Sequence, residues 1–136
     1  MFDTYSLDDM RLIGQVLASL RTEQSTHKST GSNVNIVIAC VHHWMIEGYS
    51  RDAVESIADY VRGLHGVDLA VVLKEYSQET WTISLRSESW DVAAIARICG
   101  GGGHVNTAGM TLHGTEQEII GSIVAAVAAA AETTKL

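Results

Sequence analysis

The sequence predicts a single α/β domain built on a mixed central β-sheet with helices packed on it, and three observations carry that expectation. Apolar residues recur at helical spacing in some segments and alternate at strand spacing in others. Those segments follow the order helix, strand, helix, strand, strand, helix, strand, helix, which implies a mixed sheet with helices on it. The 136 residues are 46% hydrophobic and include no proline, so one core can form and no linker marks a second domain.

Met10, Ile13, Leu17 and Leu20 lie at helical spacing behind Ser6, with Asp9 placed to complete a capping box, so residues 7–22 read as an amphipathic helix. Residues 23–33 are polar and rich in turn formers, and read as a surface loop. Val34 to Val41 is apolar on both alternating faces, as expected of a central strand covered on each side. After His42-His43-Trp44 and Gly48, Ser50 caps a helix carrying Val54, Ile57, Ala58 and Val61, which ends near Gly63 to Gly66.

Val67 to Tyr76 reads as a strand, with Leu69, Val71 and Leu73 on one face and Ala70 and Val72 on the other. Tyr76 to Glu79 reads as a hairpin turn into a strand over Glu79 to Ser87. There Trp81, Ile83 and Leu85 face one way, while Thr82, Ser84 and Arg86 face the other. Asp91 caps a helix carrying Val92, Ile95, Ala96 and Cys99, and four glycines follow it. Met110 to His113 reads as a short closing strand. Residues 115–131 read as an alanine-rich helix with Ile120, Ile123, Val124, Val127 and Ala131 on one stripe.

The formal net charge is −7 with scattered Lys and Arg, which argues against a broad surface for long duplexes but leaves room for a local anion pocket. No run approaches the ~18–20 apolar residues of a membrane span, and Asp3, Asp8 and Asp9 occupy the place of a basic signal-peptide start. We therefore expect a cytoplasmic chain that does not engage a membrane. Cys40 and Cys99 each sit in an apolar segment and read as buried thiols, outside any disulfide or Cys-x-x-Cys metal pattern.

Gly100-Gly101-Gly102-Gly103-His104 is the most specific stretch. Residues without Cβ atoms can turn several amides toward one anion, and an imidazole beside them adds a donor. Arg86 ends the polar face of the preceding strand, in Ser84-Leu85-Arg86-Ser87. Its guanidinium offers a fork for phosphate oxygens, with serine hydroxyls beside it.

The pairing of Ser-Leu-Arg-Ser with Gly-Gly-Gly-Gly-His-Val-Asn-Thr-Ala-Gly resembles the DHHA1 domain, the C-terminal module of DHH-type phosphoesterases, of the oligoribonuclease/pAp phosphatase (nanoRNase) type. The resemblance extends over nearly the whole chain. It makes residues 1–136 one DHHA1-like domain, with Phe2-Asp3-Thr4-Tyr5 and the first helix, within residues 1–22, derived from the linker that leaves the DHH domain. It implies substrate or phosphate binding by Arg86, Ser87, Gly101, Gly102, Gly103 and His104. The partners it implies are a short oligonucleotide, pAp or a cyclic dinucleotide, and a DHH catalytic domain. Hydrolysis by two manganese ions then belongs to that DHH domain, absent from this chain. The chain alone is expected to be inactive, with no catalytic residue, metal ligand or cofactor of its own. Asn106-Thr107-Ala108-Gly109 departs from the family pattern of a basic or small residue before Ala-Ala-Gly. The alternative is a non-catalytic nucleic-acid-binding or oligomerising module resembling the C-terminal domain of alanyl-tRNA synthetases, with a homodimer as one form.

Val41-His42-His43 looks by letters like Asp-His-His, but valine cannot ligate and no Asp-x-Asp pair accompanies it, so the histidines read as a helix start or surface. His27, His65 and His113 receive no role. The glycines follow a helix and precede a strand, the reverse of a dinucleotide-binding fingerprint, and no Gly-Lys-Ser/Thr follows them. Trp44, Trp81 and Trp90 read as core or cleft-rim residues, with Trp90 the one placed to stack on a nucleobase.

Overall fold

A computed structural model describes residues 5–130. The chain forms α1 (Leu7–Ala18), β1 (Arg21–Thr26), β2 (Asn33–Val41), α2 (His43–Ile46), α3 (Arg51–Val61) and β3 (Leu69–Ser77). It continues through β4 (Thr80–Arg86), α4 (Val92–Ile98), β5 (Gly102–Gly103), β6 (Thr107–His113) and α5 (Glu116–Ala129). The strands form one mixed sheet in the order β1-β2-β3-β4-β6-β5, parallel only between β2 and β3. The expected single α/β domain with a mixed sheet and packed helices is the observed architecture.

Strand alternation sorts the core into two layers. Ile36, Ile38, Val71, Leu73, Trp81, Ile83 and Leu85 face α4 and α5, and β6 joins them through Ala108 and Met110. On the opposite face Val37, Ala39, Ala70 and Val72 pack against α1 and α3, and no residue of β4, β5 or β6 belongs to that second core. Among the described residues, one face is thus covered across the sheet, whereas the other is covered over β2 and β3 only.

The predicted caps form. Ser6 and Asp9 complete a capping box on α1, Ser50 accepts from the Ala53 amide and Asp91 accepts from the Ala94 amide, while a second box that was not predicted joins Thr115 and Glu118 on α5. Asp9 also accepts from the backbone N–H of Ser50 at 3.1 Å and from its hydroxyl at 3.2 Å, so one carboxylate joins the starts of α1 and α3. The β3–β4 hairpin turns through Gln78-Glu79, with Glu79 at φ 53°.

Two expectations on the backbone require correction. The first helix stops at Ala18, and residues predicted as helix end and loop form β1, which pairs with β2 from Arg21↔Ile38 to Thr26↔Asn33. β1 is an edge strand with Ser25 as its only buried residue, so it lacks the apolar alternation that marks interior strands. The glycine run, read as a loop, contributes β5, which pairs with β6, and β6 begins at Thr107 rather than Met110. Cys40 and Cys99 are half-buried rather than fully buried. His27, placed by sequence in a loop, is fully buried beside Trp90. Phe2, Asp3, Thr4 and Ala131 lie outside the described residues.

The hydrogen bonds from Ser50 and Ser6 hold the Asp9 carboxyl below its ordinary value. Its stabilising effect is therefore present above the unfolded-state value of 3.8 and lost as pH falls through the lower folded value. In urea melts we expect Asp9→Ala to lower the midpoint at about pH 7, with the difference from the native chain shrinking at about pH 3.

Candidate functional site

The uncovered half-face is built by alternation on β4. Trp81, Ile83 and Leu85 enter the core, which leaves Thr82, Ser84 and Arg86 on the side that α1 and α3 do not reach. Cross-strand register sets Ser84 between Val72 and Gly109, and Arg86 between Ala70 and Thr107. β6 adds Thr107, Gly109 and Thr111 to the same face, and β5 adds Gly102 opposite Gly109.

Arg86 is half-buried at the end of β4, where it donates to the Leu85 carbonyl at 3.1 Å. Among the described residues no carboxylate pairs with it. A cleft of about 320 Å³ opens beside it, lined also by Arg62, Gly63, Glu88, Asn106 and Thr107. A second cleft of about 220 Å³ shares Arg86, Ser87 and Gly63. Two guanidinium-bearing residues at one cleft are notable in a chain of net charge −7.

Deeper on this face lies Lys74, whose side chain is only 3% exposed. Its ammonium donates to both Glu55 oxygens at 3.1 Å and to the Ser84 hydroxyl at 2.8 Å. Burial pushes the lysine down from its ordinary value, Glu55 pulls it back, and Arg86 and Arg51 add repulsion. Glu55 responds in kind: burial pushes its carboxyl up, but the Tyr76 hydroxyl, Lys74 and Arg51 outweigh burial and hold it low.

Ser87 works through its neighbours. Its hydroxyl donates to the Asp68 carbonyl at 2.6 Å and accepts from the amides of Ser89 and Trp90, at 3.1 and 2.9 Å. That buried hydroxyl fastens the ends of β3 and β4 to the approach into α4 and fixes where Arg86 emerges. Asn106 completes the attachment, since its amide side chain donates to the Ser87 carbonyl at 2.9 Å and its own carbonyl accepts from the Ser87 N–H at 3.2 Å. Sequence reasoning treated Asn106 as a missing charge, and its tie across to Ser87 has no local signature. Thr107 enters the sequence reading only as a departure from the family's alanine, and Arg62 carries no signal there.

The glycines divide by task. Gly100, at φ 85°, donates to Arg97 O, and Gly101 donates to Ala96 O, which together close α4 as a Schellman motif. A Cβ on Gly101 would overlap the Gly109 carbonyl and lie 2.6 Å from Met110 Cβ, while one on Gly103 would lie 2.6 Å from Ala108 Cα. These two glycines let β5 approach β6. A Cβ on Gly102 meets nothing within 4 Å, so packing alone does not require a glycine there. Of the amides expected to aim at one anion, those of Gly100, Gly101 and His104 donate instead to the Arg97, Ala96 and Thr107 carbonyls. His104 is exposed at the start of the β5–β6 turn, on the hairpin that carries Asn106 and Thr107, but it does not line either cleft.

His42 occupies the N-cap position of α2 without a side-chain capping bond and His43 opens the helix, with the His43 N–H donating to Glu75 Oε1 at 2.8 Å. Trp81 and Trp90 are buried in the core, which removes Trp90 as a base-stacking platform, while Trp44 is 70% exposed and stacked on His42. No helix among the described residues is long and apolar enough to cross a membrane.

Residues 33–133 match the model of the DHHA1 domain. The chain belongs to the DHHA1 domain family. Among solved structures, it is similar to an exopolyphosphatase-related protein from Bacteroides fragilis, with 23% identity and a TM-score of 0.75, covering 93% of this chain and 36% of that one. It is also similar to PggH, a pGpG-specific phosphodiesterase from Vibrio cholerae, with 8% identity and a TM-score of 0.56, covering 90% of this chain and 40% of that one. These likenesses support the DHHA1 fold, and this chain spans little more than a third of either relative.

The division among the glycines is open to a direct check. Gly101→Ala is expected to lower stability by about 1–3 kcal/mol through overpacking against β6, whereas Gly102→Ala should stay within about 0.5 kcal/mol of the native chain in the same denaturant titration.

Proposed function

We propose that this DHHA1 domain is the substrate-binding part of a DHH-type phosphoesterase, and that it holds the phosphate or nucleotide of a short oligonucleotide, pAp or a cyclic dinucleotide. The observation that carries this reading is Arg86, unpaired with any carboxylate among the described residues and lining a cleft between the end of β4, the residues after α3 and the β5–β6 turn. A guanidinium in that position presents two parallel N–H donors to phosphate oxygens. Arg62 lines the same cleft and adds a second cationic side chain.

Ser84 accepts its hydrogen bond from Lys74, which leaves the hydroxyl proton available to a ligand oxygen. Gly102 and Gly109, paired across β5 and β6, keep the neighbouring surface bare, so a ligand can lie against the backbone. Ser87, its hydroxyl committed to Asp68, Ser89 and Trp90, is assigned a positioning role for Arg86. His104 is assigned the outer contact, as an exposed imidazole on the adjoining turn.

The paired manganese ions implied by the family do not fit here. Among the described residues the only close group of three metal-ligating side chains is Cys40, His42 and Glu116, which lacks the carboxylate-rich character of a two-metal cage. Bond cleavage is therefore assigned to a DHH domain, and this chain's residues bind and orient. The likeness to an exopolyphosphatase-related protein and to a pGpG-specific phosphodiesterase supports a phosphate-ester or phosphoanhydride ligand.

Isothermal titration with pAp and with a dinucleotide tests this. Arg86→Ala should weaken binding by about tenfold to a hundredfold, the loss expected for a hydrogen bond to a charged group, and His104→Ala should weaken it less. Identical heats from the native chain and both variants contradict the assignment. Tight, salt-sensitive binding of tRNA by a dimer favours the nucleic-acid module instead.

A further inference from the structure

At the opposite end of the sheet from Arg86, three side chains from separate parts of the chain converge. Cys40 is the penultimate residue of β2, His42 follows two residues later, and Glu116 opens α5. Cys40 Sγ lies 3.5 Å from His42 Nε2, and that nitrogen lies 2.7 Å from Glu116 Oε1. All three ligating atoms fall within 4.8 Å of one another. We propose that Cys40, His42 and Glu116 form a binding site for a single divalent ion of the zinc class, independent of the phosphate cleft.

Three features favour a metal over a plain histidine–glutamate pair. A thiolate, an imidazole and a carboxylate are the donor types that zinc accepts, and this mixture suits it better than magnesium or calcium. Zn–S and Zn–N bonds of about 2.3 and 2.0–2.1 Å at a tetrahedral angle place sulfur and nitrogen about 3.5 Å apart, which matches the separation here. The imidazole–carboxylate gap of 2.7 Å must widen by about 0.7 Å to reach the same geometry. The three ligating atoms also converge within 4.8 Å of one another although they come from separate elements.

The surroundings hold the donors in place. Arg21 Nη1 lies 3.5 Å from Glu116 Oε2, so it orients the carboxylate by the oxygen that does not face His42. Trp44 stacks on one side of the imidazole and Trp81 meets it edge-on, each at 6.1 Å between centroids. A cleft of about 250 Å³ beside Cys40, His42 and Glu116 gives access from solvent. The fourth coordination position then belongs to water.

Binding balances simply. The ion takes a lone pair from Nε2, with any proton there passing to solvent or to Nδ1. The Cys40 thiol releases its proton to solvent, and Glu116 supplies one oxygen. Two negative donors then offset the charge of the ion. No electron is transferred.

The test uses Co²⁺ as a spectroscopic stand-in, titrated under reducing, anaerobic conditions into the 136-residue chain. The proposal expects one equivalent to bind, with a thiolate-to-cobalt charge-transfer band that Zn²⁺ abolishes. Cys40→Ser should remove that band while Cys99→Ser retains it, and Glu116→Gln should weaken binding by about tenfold or more. Absence of the band in the native chain overturns the proposal without reference to any variant. So does a band that survives Cys40→Ser, or His42→Ala binding as tightly as the native chain while circular dichroism shows it folded.

Discussion

The uneven cover of the sheet is the constraint from which the rest of the molecule follows. α4 and α5 lie over a continuous apolar layer drawn from β2, β3, β4 and β6, while α1 and α3 seal only β2 and β3 on the other side. An uncovered sheet face must carry polar or small side chains, and β4, β5 and β6 supply them as Thr82, Ser84, Arg86, Gly102, Thr107 and Gly109. The alternation that buries Trp81, Ile83 and Leu85 thus also exposes Arg86.

Arg86 is useful to an anion only if its strand end is held in place, and the surrounding hydrogen bonds do that. The buried Ser87 hydroxyl joins the start of β3 to the approach of α4, and Asn106 ties the β5–β6 turn to the same residue. Gly101 and Gly103 permit the close strand contact that sets this turn beside Arg86, while Gly102 leaves the space above it clear. Lys74 differs from Arg86 in kind. Both Glu55 oxygens and Ser84 occupy its ammonium, so its charge is balanced internally, whereas that of Arg86 is not.

The sequence disclosed the parts of this arrangement whose signals are local. Caps at Ser6, Ser50 and Asp91 announced three helices, alanine abundance and an apolar stripe announced α5, and the apolar runs of β2, β3 and β4 announced the sheet interior. Both strands that escaped, β1 and β5, are sheet edges. One is polar and the other is two glycines, so pairing with a neighbour, and not side-chain burial, makes them strands. At the site, Arg86 and the glycines were legible because alternation and the absence of Cβ atoms are local properties. Ser87 was legible as present but not in its task, because its partner Asp68 lies 19 residues away. The meeting of His42 with Glu116 spans 74 residues and had no signal short of the fold itself.

The central claim is that the half-face left open by α1 and α3 receives the ligand. Amide chemical-shift mapping by two-dimensional NMR, with a dinucleotide titrated into the isotopically labelled chain, tests it most directly. Saturable shifts concentrated at Arg86, Gly102, Thr107 and Gly109 are expected, with α4 and α5 little affected. Shifts confined to the helical face of α4 and α5, or none at millimolar ligand, would contradict it.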